Sequence, residues 1–245
     1  MSDQKKPKIL VILHQERSTP GRVGQELVRR GFNLDIRKPR FGDTLPCTMD
    51  DHAGAVIFGG PMSANDTDAF INKEIDWVGV PLKEEKPFLG ICLGAQMMAR
   101  HLGATVSAHK DDLVEIGYYP ITPTKQGNDL MQWPEKVYQW HREGFSLPRG
   151  ATLLAKGNTY ANQAIKVGEN AYGIQFHPEL TYHMMNRWTT LASDRMSLPG
   201  AQGRRDHFRG RFIFDPPVFR WLQSFLDLWI GTAENPRTSA TRELA

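Results

Sequence analysis

A chain of 245 residues, 40% of them hydrophobic, is long enough to enclose the core of a large α/β domain. Its 30 basic and 27 acidic residues are interspersed and leave a net charge of +3, so no basic face marks nucleic acid as the main ligand. Two cysteines, Cys47 and Cys92, without Cys-x-x-Cys spacing argue against a disulfide framework or a structural zinc site, and no apolar run approaches the roughly 18 residues of a membrane span; a soluble, cytoplasmic protein is expected.

Residues 8–13 form a short apolar run of the kind that makes a central parallel strand, ending at His14. Thr19 as N-cap, Pro20 at the first helical position and Val23, Leu27 and Val28 on one stripe predict a helix that stops at Gly31. Residues 32–36 read as a second strand, 39–51 as an irregular crossing, and 53–58 as a third strand that breaks at Gly59-Gly60-Pro61. A helix is predicted over residues 66–85, with Phe70, Ile71, Ile75 and Val78 on one side and Pro81 interrupting its path. Phe88-Leu89-Gly90-Ile91 then reads as a buried strand running into a helix that begins at Leu93, with Cys92 at the corner. This alternation implies an α/β fold: a doubly wound, mostly parallel sheet flanked by helices, with ligands bound at the carboxyl ends of its strands. His14, Gly59-Gly60 and Cys92 are three such ends.

From about residue 104 to 176 the pattern changes to short strands at 113–121, 136–140, 151–155, 162–167 and 172–176, an added small antiparallel meander. Helices return at 182–196 and at 217–230; the second is entered by Asp215-Pro216 and carries Phe219, Leu222, Phe225, Leu226 and Trp229 on a core-facing stripe. Residues 199–211, rich in Gly and Arg, read as a mobile loop or as a lid or docking site for an acidic partner. Residues 1–231 are expected to form one domain and 232–245 a disordered tail.

The chemistry points to the corner. Gly90 and Gly94 flank Cys92 and let strand and helix pack closely around a strained, exposed nucleophile, while the helix N-terminus at Leu93 favours its thiolate. A cysteine nucleophile in acyl transfer needs an imidazole to hold its proton and a third group to orient the ring. Two histidines carry a carboxylate two residues on, His141-Arg142-Glu143 and His177-Pro178-Glu179. His177 follows the apolar strand Tyr172-Gly173-Ile174-Gln175-Phe176, and Pro178 stiffens its link to Glu179; His141 leads into the turn-like Gly144, a more exposed setting. The pair at His177 and Glu179 is favoured, with His141 and Glu143 as the alternative. The glycines at 59 and 60 can turn backbone N–H groups toward a ligand, and with the N–H of Leu93 they would hold a developing oxyanion.

In combination, Phe58-Gly59-Gly60-Pro61, Gly90-Ile91-Cys92-Leu93-Gly94-Ala95-Gln96 and Phe176-His177-Pro178-Glu179 resemble the class I glutamine amidotransferases over roughly residues 8–190. The likeness is to stand-alone members akin to the glutaminase domain of GMP synthases, where Glu115-Ile116-Gly117 and Trp140-His141-Arg142-Glu143 also have counterparts. The resemblance implies that Cys92 attacks the side-chain amide of glutamine, that His177 shuttles the proton and Glu179 orients it, and that water hydrolyses a glutamyl thioester. It further implies Gln96 as a contact to the bound glutamine, Gly60 and Leu93 as oxyanion donors beside Gly59, and a structural or substrate-side role for His141. No fused synthetase domain is expected, so the ammonia acceptor would belong to a separate subunit or be absent. A γ-glutamyl peptidase using the same triad is the competing reading, and a non-catalytic binding protein of the same fold the third. Nothing in the sequence requires a metal or an organic cofactor.

Overall fold

Successive side chains of a strand point to opposite faces, and the first strand shows how the chain uses this. In β1 (Lys8–Ile12), Ile9 and Val11 enter one buried cluster while Leu10 and Ile12 enter another on the far side of the sheet. The structure, a computed structural model, describes residues 6–236. Its elements follow in the order α1 (Gly21–Arg29), β2 (Asn33–Arg37), β3 (His52–Ile57), α2 (Ala69–Trp77), α3 (Gly79–Lys83), β4 (Phe88–Ile91), α4 (Leu93–His101), β5 (Val106–Ala108), β6 (Glu115–Pro120), β7 (Thr122–Pro123), α5 (Lys125–Leu130), β8 (Lys136–His141), β9 (Glu143–Phe145), β10 (Thr152–Lys156), β11 (Ala164–Val167), β12 (Ala171–Ile174), α6 (Tyr182–Leu191) and α7 (Arg204–Trp229).

The main sheet has the order β2-β1-β3-β4-β12-β11-β10-β7. Its first five strands are parallel, and β11, β10 and β7 continue it antiparallel. The expected meander is therefore split: part of it extends the central sheet, and β5–β9 and β6–β8 form two small antiparallel pairs of their own. Residues of α1 and α7 cover one face through Val23, Leu27, Trp221, Leu222, Phe225 and Trp229. On the other face lie Ile71 and Trp77 of α2 and Ala95, Met97, Met98 and Ala99 of α4. Leu89 and Ile91 of β4 face the first layer and Phe88 the second, so the strand that leads to Cys92 is buried on both sides.

Boundaries depart from expectation at three places. Pro20, not Thr19, occupies the cap position of α1, without a side-chain cap. The helix expected over 66–85 is two helices, and Pro81 sits inside the second. The largest difference is α7, which begins at Arg204 and carries Pro216 and Pro217 in its interior, so most of the expected loop at 199–211 is helix and Asp215-Pro216 is no entry. A proline removes the N–H that would bond the carbonyl four residues back; here those carbonyls belong to Phe212 and Ile213, which face solvent and can be hydrated. The N-terminal half of α7 is held by tertiary contacts that its sequence does not announce. Gly210 lies directly against the Tyr118 ring, and the Tyr138 hydroxyl donates to His207 Nδ1 at 2.9 Å. His207 Nε2 donates to the Gln202 carbonyl at 3.0 Å, and burial lowers its pKa, which keeps the ring neutral in this donor–acceptor arrangement.

Of the expected tail, residues 232–236 form a turn in which the Ala233 N–H donates to the Arg30 carbonyl and Gly231 bridges to Pro236; the remainder lies outside the described residues. Among the described residues no helix is long and apolar enough to cross a membrane.

Close approach of backbones sets the geometry of the corner. A β-carbon on Gly94 would sit 2.1 Å from the Ile57 carbonyl oxygen, and one on Gly90 would sit 2.5 Å from the Gly94 carbonyl oxygen. Gly94→Ala is expected to cost about 2–3 kcal/mol of stability or more, as overpacking of a rigid core does. A denaturant midpoint unchanged from wild type would show that α4 can move away from β3 without penalty.

Candidate active site

Cys92 stands between β4 and α4 with φ +52° and ψ −105°, a conformation that costs an L-residue about 1–3 kcal/mol. The strand and helix on either side hold it there. Its N–H donates to the Ile174 carbonyl at 2.8 Å, and its own carbonyl accepts from the Gln96 N–H at 3.0 Å, closing the first turn of α4.

The strand ends β3 and β12 bring the other groups in. A β-carbon built on Gly59 would lie 2.9 Å from His177 Cε1 and 3.4 Å from Cys92 Cβ, so this one glycine touches both. His177 Nδ1 pairs with Glu179 Oε1 at 2.7 Å, both side chains being almost fully buried. The His177 N–H donates to the Tyr138 carbonyl, and the Trp188 ring meets the imidazole edge-on at 5.0 Å. Nε2 is buried and makes no hydrogen bond among the described residues. Burial by itself would pull the His177 pKa down, but the charges of Glu179 and Cys92 outweigh it and raise the value to about 10. That value belongs to the coupled group of three.

A buried chain of amides leads away from the sulfur. Gln175 Nε2 is 3.6 Å from Cys92 Sγ, and Gln96 Nε2 donates to Gln175 Oε1 at 3.2 Å and to the Glu143 carbonyl at 2.8 Å. The same carbonyl accepts from His141 Nδ1 at 2.9 Å. His141 Nε2 meets Glu115 Oε2 at 3.0 Å, an oxygen that also accepts from Gln163. His141 is thus buried and paired with Glu115, correcting the exposed setting expected for it; it reaches Glu143 only through the backbone.

The chain that carries this arrangement has counterparts among known proteins. The family model for glutamine amidotransferase class-I matches residues 16–188. The chain belongs to this family. The glutamine amidotransferase-like protein YfeJ of Salmonella typhimurium is 28% identical over 210 residues, covering 81% of this chain and 85% of YfeJ. GMP synthase (glutamine-hydrolyzing) of Latilactobacillus sakei is 35% identical over 133 residues, covering 52% of this chain but 24% of the synthase. The crystal structure of a glutamine amidotransferase from Thermotoga maritima superposes with a TM-score of 0.81 at 30% identity, over 91% of this chain and 97% of that one. Membership makes this an enzyme of glutamine amide hydrolysis and ammonia transfer.

Of the amidotransferase residues predicted from sequence, Cys92, His177, Glu179, Gly59 and Gly60 meet in one place. Leu93 begins α4, with its side chain against Gly60. Gln96 is buried with its amide nitrogen committed to Glu143 and Gln175. Two neighbours went unread. Gln175 is the polar residue in an otherwise apolar strand, and Glu74 lies on the buried face of α2 beside Ile71; a polar group on an apolar stripe was the signal in each case.

Proposed function

We propose that Cys92, His177 and Glu179 hydrolyse the side-chain amide of glutamine through a glutamyl thioester. The observation that carries this reading is the convergence of Cys92 and His177 on the Cα of Gly59, with Glu179 on the far edge of the imidazole. Glu179 Oε1 accepts from Nδ1–H and leaves Nε2 without a partner among the described residues, free to exchange a proton with the thiol as a shuttle must. The thiolate of Cys92 forms a C–S bond to the amide carbon, and the negative charge moves to the amide oxygen. The N–H groups of Gly60 and Leu93, neither of which donates to another backbone carbonyl among the described residues, stabilise that charge. His177 gives its Nε2 proton to the amide nitrogen, the C–N bond breaks and ammonia leaves. His177 then takes a proton from water, hydroxide adds to the thioester carbon, and glutamate leaves as the thiolate and imidazolium are restored.

Gly59 and Gln96 form the walls on which glutamine rests in this reading. The ammonia acceptor is assigned to a synthetase partner: the match to the L. sakei GMP synthase covers 24% of that protein, so the rest of that enzyme's work has no counterpart in the matched region. Incubation with a diazoketone analogue of glutamine, followed by mass spectrometry, is expected to label Cys92, and ammonia release from glutamine should be lost in step. Absence of label together with absence of ammonia would defeat the proposal. Preferred cleavage of γ-glutamyl peptides over free glutamine would replace it with a γ-glutamyl peptidase.

A further inference from the structure

Three buried histidine–carboxylate pairs surround the corner at Cys92: His177 with Glu179, His141 with Glu115, and His14 with Glu74. The last is fully buried and has no part in the chemistry above. His14 follows β1, Glu74 lies on α2, and His14 Nε2 meets Glu74 Oε2 at 2.7 Å with both side chains 0% exposed. Desolvating such a pair carries a cost that two packed apolar residues would avoid. The other edge of the ring shows what the pair holds. His14 Nδ1 lies 3.1 Å from the carbonyl oxygen of Gly59. A carbonyl only accepts, so Nδ1 carries a proton and donates it there.

Gly59 and Gly60 share that peptide. All described peptide bonds are trans, so the Gly60 N–H points away from the Gly59 carbonyl, and hence away from His14. Gly59 packs on its Cα side against His177 and Cys92, whereas Gly60 is flanked by His14 Cβ at 3.0 Å and Leu93 Cδ2 at 3.1 Å, measured from ideal β-carbon positions. Two adjacent glycines place little intrinsic restraint on the rotation of the peptide between them. A flipped peptide would turn a carbonyl oxygen toward the reacting amide, opposing the charge that develops there.

We infer that His14, oriented by Glu74, is a positioning residue that locks the Gly59–Gly60 peptide with the Gly60 N–H aimed at the amide oxygen of the substrate. This rests on the triad reading of the site. The donor that matters is Nδ1–H, and Glu74 fixes the plane of the ring. An asparagine at 14 would place a donor N–H close to the position of Nδ1, and a glutamine would place its amide nearer to that of Nε2.

The test compares His14→Gln with His14→Asn. His14→Gln keeps a partner for Glu74 but loses the donor to Gly59; its kcat is expected to fall about 10–100-fold with KM within about threefold of wild type, as for a misplaced oxyanion donor. His14→Asn should keep kcat within about fivefold of wild type. Inactivation by iodoacetamide, a displacement at carbon that needs no oxyanion hole, should proceed at the wild-type rate in both. Wild-type turnover in His14→Gln overturns the inference, as does an equal loss in His14→Asn, or an iodoacetamide rate that falls in parallel with turnover. Failure of iodoacetamide to modify Cys92 in wild-type protein would instead overturn the triad reading beneath it. Should the variants not fold, 15N-histidine spectra of the wild-type protein decide: His14 Nδ1 is expected to be protonated at neutral pH, and an unprotonated Nδ1 overturns the inference.

Discussion

Cys92→Ala is expected to lower glutamine turnover by about 10⁴-fold or more, the scale on which removal of a nucleophile from a triad acts. Alanine keeps the β-carbon and therefore the backbone strain of a residue at φ +52°, ψ −105°, so its stability should stay close to that of wild type. Cys92→Gly separates strain from chemistry. Glycine enters that region without a steric penalty, and relief of the strain should exceed the added entropy of the unfolded chain, giving a variant more stable than Cys92→Ala by about 1 kcal/mol and equally inactive. Chemical denaturation of the two variants beside an ammonia-release assay makes the comparison. Residual turnover near the wild-type level in either would remove Cys92 from the chemistry. Equal stability of the two would mean that the corner is not strained.

Glu179→Gln is expected to lower kcat/KM by about 10²–10⁴-fold, because the neutral amide neither fixes the tautomer of His177 nor stabilises its cation. The pH dependence carries the sign. Burial lowers the His177 pKa and the charges of Glu179 and Cys92 raise it, with a net rise to about 10. The protonated ring, which supplies the proton to the leaving nitrogen, therefore persists to alkaline pH in the wild-type enzyme. Without the carboxylate that limit moves to lower pH, so the alkaline limb of the residual activity should shift toward neutrality. Stability follows the same linkage. A raised folded-state pKa contributes stability that is fully present below the unfolded value of about 6.5 and is lost as pH rises through about 10. Wild-type protein should therefore lose more stability than Glu179→Gln over that interval, as read by denaturant midpoints at its two ends. Parallel losses in the two proteins would show that the carboxylate does not raise the pKa of His177.

Local pattern made much of this protein legible. The apolar runs before His14, Gly59 and Cys92 became parallel strands because each is buried on both faces, and that burial is what removes alternation from their sequence. The stripe from Leu222 to Trp229 faces the core because helical periodicity survives whatever precedes it. The N-terminal half of α7 was not legible. Gly210 and the double proline favour a break by local propensity, and the helix persists through the Tyr118 ring, the His207 bond and ion pairs from Arg22 and Arg211 to Asp215. Apart from Arg211, one helical turn from Asp215, these partners lie far away in sequence.

The same division runs through the site. Cys92 between two glycines and His177 two residues before Glu179 are short-range arrangements, so the sequence by itself determined the nucleophile candidate, a favoured His-x-Glu segment beside its alternative, and the family resemblance. The tertiary structure adds which strand ends adjoin Cys92: β12, which leads to His177, pairs directly with β4, while His141 turns to Glu115. It alone brought Glu74 and Gln175 to the corner, where the strand order had already placed the end of β1 at His14. Hydrogen bonds between residues some 45 to 83 positions apart leave at most a lone polar residue in an apolar stretch, without naming its partner, and exist only once the sheet has assembled.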